Sequence, residues 1–98
     1  MLEITVPPEV LAKFEELLKE EDSDDAVVRI RETKVGGGCK SRIVLKVSID
    51  EREDPDEEQE TKVGGLPFVI SNEVIDSHGE KFEIFVNEAG VPDVRAAA

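Results

Sequence analysis

Hydrophobic and polar positions alternate at the start of this chain, recur at helical spacing, and then alternate again. Leu2, Ile4 and Val6 are separated by Glu3 and Thr5, which predicts a short strand, and Pro7-Pro8 closes it because proline cannot donate to a ladder. Val10, Leu11, Phe14, Leu17 and Leu18 then share one helical face. Pro8 suits the first helical position and Glu9 the positive end of the helix dipole, so an amphipathic N-terminal helix is expected, with its apolar stripe turned to the core. After an acidic, serine-containing break from Glu20 to Asp25, the run Ala26-Val27-Val28-Arg29-Ile30-Arg31-Glu32-Thr33 is rich in branched residues and predicts a second strand. In a third, Ile43, Leu45, Val47 and Ile49 occupy one face and Arg42, Lys46 and Ser48 the other, with Val44 the apolar exception. Leu66-Pro67-Phe68-Val69-Ile70 predicts a short apolar strand and Ser71-Asn72-Glu73 a capped helical turn through Asp76. Ser77-His78-Gly79-Glu80 is a turn, and Lys81 to Asn87 is a last strand with Phe82, Ile84 and Val86 facing in.

The segments between these elements are as distinctive. Glu-Thr-Lys-Val-Gly-Gly occurs at residues 32–37 and again at 60–65, but the flanks do not continue the similarity. Two strand-to-turn transitions of the same chemistry are therefore expected, not a duplicated domain. Residues 50–60 hold eight carboxylates in eleven positions and no apolar side chain, which predicts a solvated loop, with a disordered interaction surface as the alternative. A calcium loop would need alternating ligands around a central glycine, and this run has proline and no glycine. Residues 89–98 have no periodicity and are expected to form a flexible tail after a single domain over residues 1–88.

Composition sharpens the fold class. Ninety-eight residues support one core, and with four phenylalanines and no tryptophan or tyrosine that core is built from valine, isoleucine and leucine. The expectation is a mainly β, α+β domain with one helix packed against its strands. A net charge of −12 excludes a general nucleic-acid binder. A single cysteine excludes an internal disulfide, and no apolar run reaches the length of a membrane span. The opening Met-Leu-Glu-Ile-Thr lacks the regions of a signal peptide, so a cytoplasmic address is expected, with neither membrane nor nucleic acid as partner.

Candidate chemistry gathers at Val35-Gly36-Gly37-Gly38-Cys39-Lys40-Ser41. Gly36, Gly37 and Gly38 surrender side-chain packing, and a loop built this way usually needs positive φ or close approach by another group. The loop sets the only thiol, Cys39, between the cations Lys40 and Arg42, and nearby cations favour the thiolate that acts as nucleophile or metal ligand. Over residues 26–49 six cations, Arg29, Arg31, Lys34, Lys40, Arg42 and Lys46, face one acid, Glu32, a balance of +5 within an acidic chain. The opposing readings are a buried small residue after a tight turn, and lysines that merely protect a strand edge. A phosphate loop fails on position, since Cys39 stands where glycine must precede the lysine and a strand, not a helix, follows; a dinucleotide fingerprint fails on the same following strand. His78 is the only histidine and the only candidate base for Cys39, against the simpler reading of a solvated turn residue. One cysteine and one histidine cannot make a four-coordinate metal site without carboxylates, solvent or a second chain.

The order of elements carries a resemblance. Ile4-Thr5 before an amphipathic helix, Val28-Arg29-Ile30 leading to Gly37-Gly38-Cys39, a strand ending in Ile49-Asp50-Glu51, Gly65 before Phe68-Val69-Ile70, and Gly79 before the last strand resemble the HesB/IscA family over residues 2–87. The resemblance implies a compact β-sandwich of HesB-like type with one N-terminal helix, working as a homodimer or tetramer. It implies a role as an A-type scaffold or carrier in iron–sulfur cluster assembly, with other assembly or recipient proteins as partners and iron or a cluster as the bound group. Cys39 would match the first of the family's three cluster-binding cysteines. The chain departs from that pattern at Lys40-Ser41, where the family has serine-glycine, and it lacks the C-terminal cysteine-glycine-cysteine pair. Three readings follow, none of them enzymatic: Cys39 shared between subunits to hold iron or a cluster, a metal-free interaction module on the same fold, and a thiol or persulfide redox protein using Cys39 alone.

Overall fold

The computed structural model describes residues 2–21 and 24–97, apart from the side chain of Lys40. It is a mixed α+β fold made mostly of strands, with two sheets and two helices about one core. Strand β1 (Glu3–Thr5) leads through Pro7 into helix α1 (Pro8–Glu20), where Pro8 occupies the first turn and Val10 and Phe14 are buried. β2 (Ala26–Val35) and β3 (Arg42–Glu51) pair antiparallel along their whole length, from Ala26↔Glu51 to Val35↔Arg42. β4 (Glu58–Val63) and β5 (Leu66–Ser71) form a second hairpin, and β5 joins β2 in parallel with Val28 opposite Phe68 and Ile30 opposite Ile70. The resulting sheet has the order β3-β2-β5-β4. Helix α2 (Asn72–His78) follows, then β6 (Lys81–Val86) and β7 (Pro92–Ala96), which with β1 make the sheet β1-β6-β7.

The inward residues of both sheets meet. Val28, Ile30, Leu45, Phe68 and Ile70 from the larger sheet pack with Ile4, Phe82, Ile84 and Val94 from the smaller, and α1 and α2 add Val10, Phe14, Val74 and Ile75. Phe14 meets Phe68 edge-on at 6.0 Å between ring centroids, the arrangement that aromatic quadrupoles favour. The expected alternation in β3 and β6 is present, except that Ile43 and Val86 lie 57% and 46% exposed beyond the core, while β2 is buried on both faces from Val27 to Ile30.

Three expectations are corrected. The C-terminal segment is not frayed: β7 pairs antiparallel with β6, with Val94 opposite Ile84 and only 5% exposed. Its signal is the single Val94 side chain, too little periodicity to announce a strand. The acidic run 50–60 is not all loop either, since β3 extends to Glu51 and β4 begins at Glu58. Its charges are compatible with strands because Asp50, Glu58 and Glu60 lie on the sheet face opposite the shared core and Glu51 is exposed at a strand end. The capped turn after Ser71 is a full helix to His78, with the Ser71 hydroxyl accepting from the Val74 amide at 3.3 Å. Among the described residues no helix is long and apolar enough to cross a membrane.

The two Glu-Thr-Lys-Val-Gly-Gly segments are both strand-to-turn transitions, as expected, but the turns differ. Gly64 and Gly65 form the whole loop of the β4–β5 hairpin, with φ of 58° and 83°, the double positive-φ geometry that a two-residue loop demands. In the earlier copy Gly36 has φ 87° while Gly37 is extended at −138°.

Candidate functional site

β2 and β3 outrun their neighbour. β5 is aligned with β2 only through Ile30, so residues 31–46 form a two-stranded arm supported by the rest of the fold on one side. Gly36 and Gly38 take positive φ (87° and 62°) to reverse the chain, and a 3₁₀ turn over Gly38–Lys40 ends the arm. Cys39 sits on that turn and is exposed, so the thiol is presented outward and not buried. Of its two flanking cations, Arg42 is exposed, and the Lys40 side chain lies outside the described residues.

The structure divides the expected +5 segment in two. Arg29, only 3% exposed, points from β2 onto the sheet face opposite the shared core. Its Nη1 lies 3.2 Å from Glu58 Oε1, its Nη2 donates to the Glu51 carbonyl at 2.8 Å, and its Nε pairs with Asp50 Oδ2 at 3.2 Å without hydrogen-bond alignment. Arg31 bonds Asp50 and approaches Glu53 at 3.6 Å. Those cations are consumed within the fold. Lys34, Arg42 and Lys46 are the arm's cations left without an ion pair among the described residues.

That network explains the acidic run. β3 and β4 lie on opposite edges of one sheet, so residues 52–57 must cross over β2 and β5 to join them. Arg29 lies beneath this crossing, Arg52 binds Glu60 at 3.0 Å and the Asp24 carbonyl at 3.1 Å, and Asn72 holds the carbonyls of Asp56 and Glu57. Val27 and Val69, on the same face, are fully buried. The Arg31 guanidinium beside Asp50 holds that carboxyl below its ordinary 3.8, and Arg52 holds Glu60 below its ordinary 4.5. A depressed folded-state value adds stability that is complete above the unfolded value and lost as pH falls through the folded one. Thermal melts taken from about pH 7 down to about pH 2 should therefore show a steep loss only below about pH 4, larger in wild type than in Arg31→Met.

His78 is not brought to Cys39. It ends α2 and its Nε2 lies 2.8 Å from Glu32 Oε2, at the base of the arm. Three further residues of β2, about 3.3 Å each, separate Glu32 from the end of the strand, and the thiol lies beyond that. A cysteine–histidine nucleophile pair is therefore not assembled in one chain. Among the described residues no three histidine, cysteine, aspartate or glutamate side chains are grouped to hold a metal ion. One chain supplies Cys39 alone, which does not fit a four-coordinate iron or cluster site by itself.

Sequence reasoning missed the buried Arg29–Glu58–Asp50 cluster. Its signal was present in an arginine inside the branched run Val27-Val28-Arg29-Ile30, where an unpaired charge could not remain buried. It also missed a groove of about 420 Å³ between β3 and β7, lined among others by Arg42, Ile43, Lys46, His78, Asp93 and Arg95.

No protein-family model matches the sequence, and no curated protein matches it. The fold is similar to the solution NMR structure of a protein from Aquifex aeolicus, with a TM-score of 0.60 at 17% identity, covering 99% of this chain and 94% of that one. At that identity the likeness is one of fold.

Proposed function

We propose that this chain is a divergent A-type iron–sulfur assembly protein of HesB/IscA type, its two sheets forming that family's β-sandwich, and that Cys39 holds iron or a cluster shared between subunits. The observation that carries the reading is the exposed thiol on a glycine-shaped turn at the far end of the two-stranded arm. A thiol so placed meets a second molecule before it meets any group of its own chain. Two copies contribute two thiolates and four copies contribute four, so the cargo requires assembly or an outside thiol to complete its coordination.

Anaerobic reconstitution with iron and sulfide, followed by absorption spectra, metal analysis and sizing, tests this. Wild type should gain visible bands with stoichiometric metal and shift to a dimer or larger, and Cys39→Ser should do neither. A folded wild type that gains no bands overturns the reading. The second reading is a metal-free interaction module, favoured by the single thiol and by the cations Lys34, Arg42 and Lys46 along the arm, which have no ion pair among the described residues. Under that reading Cys39→Ser leaves partner binding intact.

A further inference from the structure

β3 and β7 are both edge strands, one from each sheet, and they lie side by side. No backbone hydrogen bond joins them among the described residues, so β3 keeps an unpaired edge at this seam, whereas on β7 the Val94 N–H already donates to Asp93 Oδ1 at 2.8 Å. Between them runs the groove lined by Arg42, Ile43, Leu45, Lys46, Val94 and Arg95. Arg42 and Lys46 have no ion pair among the described residues, while Arg95 is tied to Glu83 and stacks on Phe85 at 4.7 Å. His78 stands at the groove with its ring nitrogen on Glu32, and Asp93 is the one acid lining it. Ile43, directly on the free edge, is 57% exposed.

We propose that this seam binds an extended, acidic segment of a partner protein, which adds as a strand to the free edge of β3. Open edges supply the main-chain ladder that gives such complexes their affinity, and alternate side chains supply specificity. Arg42 and Lys46, two residues on either side of Val44, share one face of β3, so carboxylates four apart on the incoming strand would stand opposite both. Ile43 and Leu45, on the opposite face, take its apolar positions. In a chain of net charge −12 the unpaired cations at this edge select an acidic segment and repel a basic one. The assignment does not rest on the thiol.

The test uses the full chain and the capped peptide acetyl-Glu-Val-Glu-Val-Glu-Val-Glu-amide. Titration followed by amide NMR and hydrogen exchange should shift and protect the amides of residues 42–46 and 93–96. Binding should weaken as salt rises from about 0.05 to about 0.5 M, and Arg42→Glu with Lys46→Glu should weaken it roughly tenfold. Methylating alternate peptide nitrogens on the side facing β3 should abolish the protection, because a charge contact survives that change and a ladder does not. Cys39→Ser should bind as wild type does, which separates this result from failure of the cluster reading. Equal binding of the methylated peptide, shifts mapping elsewhere, or protection of the seam on concentrating the protein alone, as a second copy would give, overturns the proposal.

Discussion

Arg29→Met should lower the unfolding free energy by about 3–5 kcal/mol, because breaking a buried ion pair leaves the Glu58 carboxylate buried without its hydrogen-bonded guanidinium. Glu58, whose side chain is 8% exposed, and the half-buried Asp50 would face each other across the site the guanidinium vacates. For a domain of this size the loss corresponds to a fall in Tm of roughly 15–30 °C, a large share of total stability. Calorimetry or chemical denaturation reads it directly. Adding Glu58→Leu to Arg29→Met should return part of the loss, since a buried pair replaced by apolar groups of similar size is often near neutral. The non-additivity of that cycle isolates the coupling from the packing contributed by the arginine stem. Stability unchanged in Arg29→Met would show that the crossing over the sheet is held without it.

Gly64→Ala should cost about 2–4 kcal/mol, from two sources that can be separated. The φ of 58° places an L-residue in the left-handed region, worth roughly 1–2 kcal/mol, and the added Cβ would stand 2.8 Å from Leu11 Cδ1 on α1. Gly65, with φ 83° and open space where a Cβ would go, carries the backbone cost alone. Gly65→Ala should therefore be the milder variant by at least about 1 kcal/mol. Leu11→Ala in the Gly64→Ala background should be less damaging than in wild type, because it vacates the space the new methyl needs. Equal melting temperatures for the Gly64 and Gly65 variants would remove the steric part of the argument. The pair also decides why the second Glu-Thr-Lys-Val-Gly-Gly ends in a tight hairpin: its first glycine is where helix and turn come closest.

How much of this was legible in the sequence depends on which force set each feature. Period-two and helical patterns placed α1, β3 and β6, because those elements bury one face and the sequence must show it, while β2 and β5, buried on both faces, showed as runs of branched and apolar residues. β7 contributes one fully inward residue, Val94, and a strand that short leaves no repeat to detect. The acidic run hid β4 and the crossing because electrostatic pairing between distant residues, Arg29 with Glu58 and Arg52 with Glu60, has no local periodicity. At the candidate site the glycines and the exposed thiol were legible, whereas the division of the cations was not. Arg29 and Arg31 differ from Lys34, Arg42 and Lys46 only in what lies opposite them in three dimensions. The seam between β3 and β7 follows from the order of strands in two sheets, which no single segment encodes.

The pairing of β1 with β6 has a consequence for how the chain comes into being. Ile4 lies opposite Phe82, so β1 finds its partner only after β2 to β5 have been made. During synthesis the β2–β3 and β4–β5 hairpins can close as they emerge, since each joins neighbouring segments, but the smaller sheet must wait until β6 and β7 have left the ribosome. Until then α1 can rest on the larger sheet, where Phe14 meets Phe68, but the places of Ile4, Phe82, Ile84 and Val94 in the core stand empty. The nascent protein therefore passes through a stage in which its larger sheet is formed and one side of its core is uncovered.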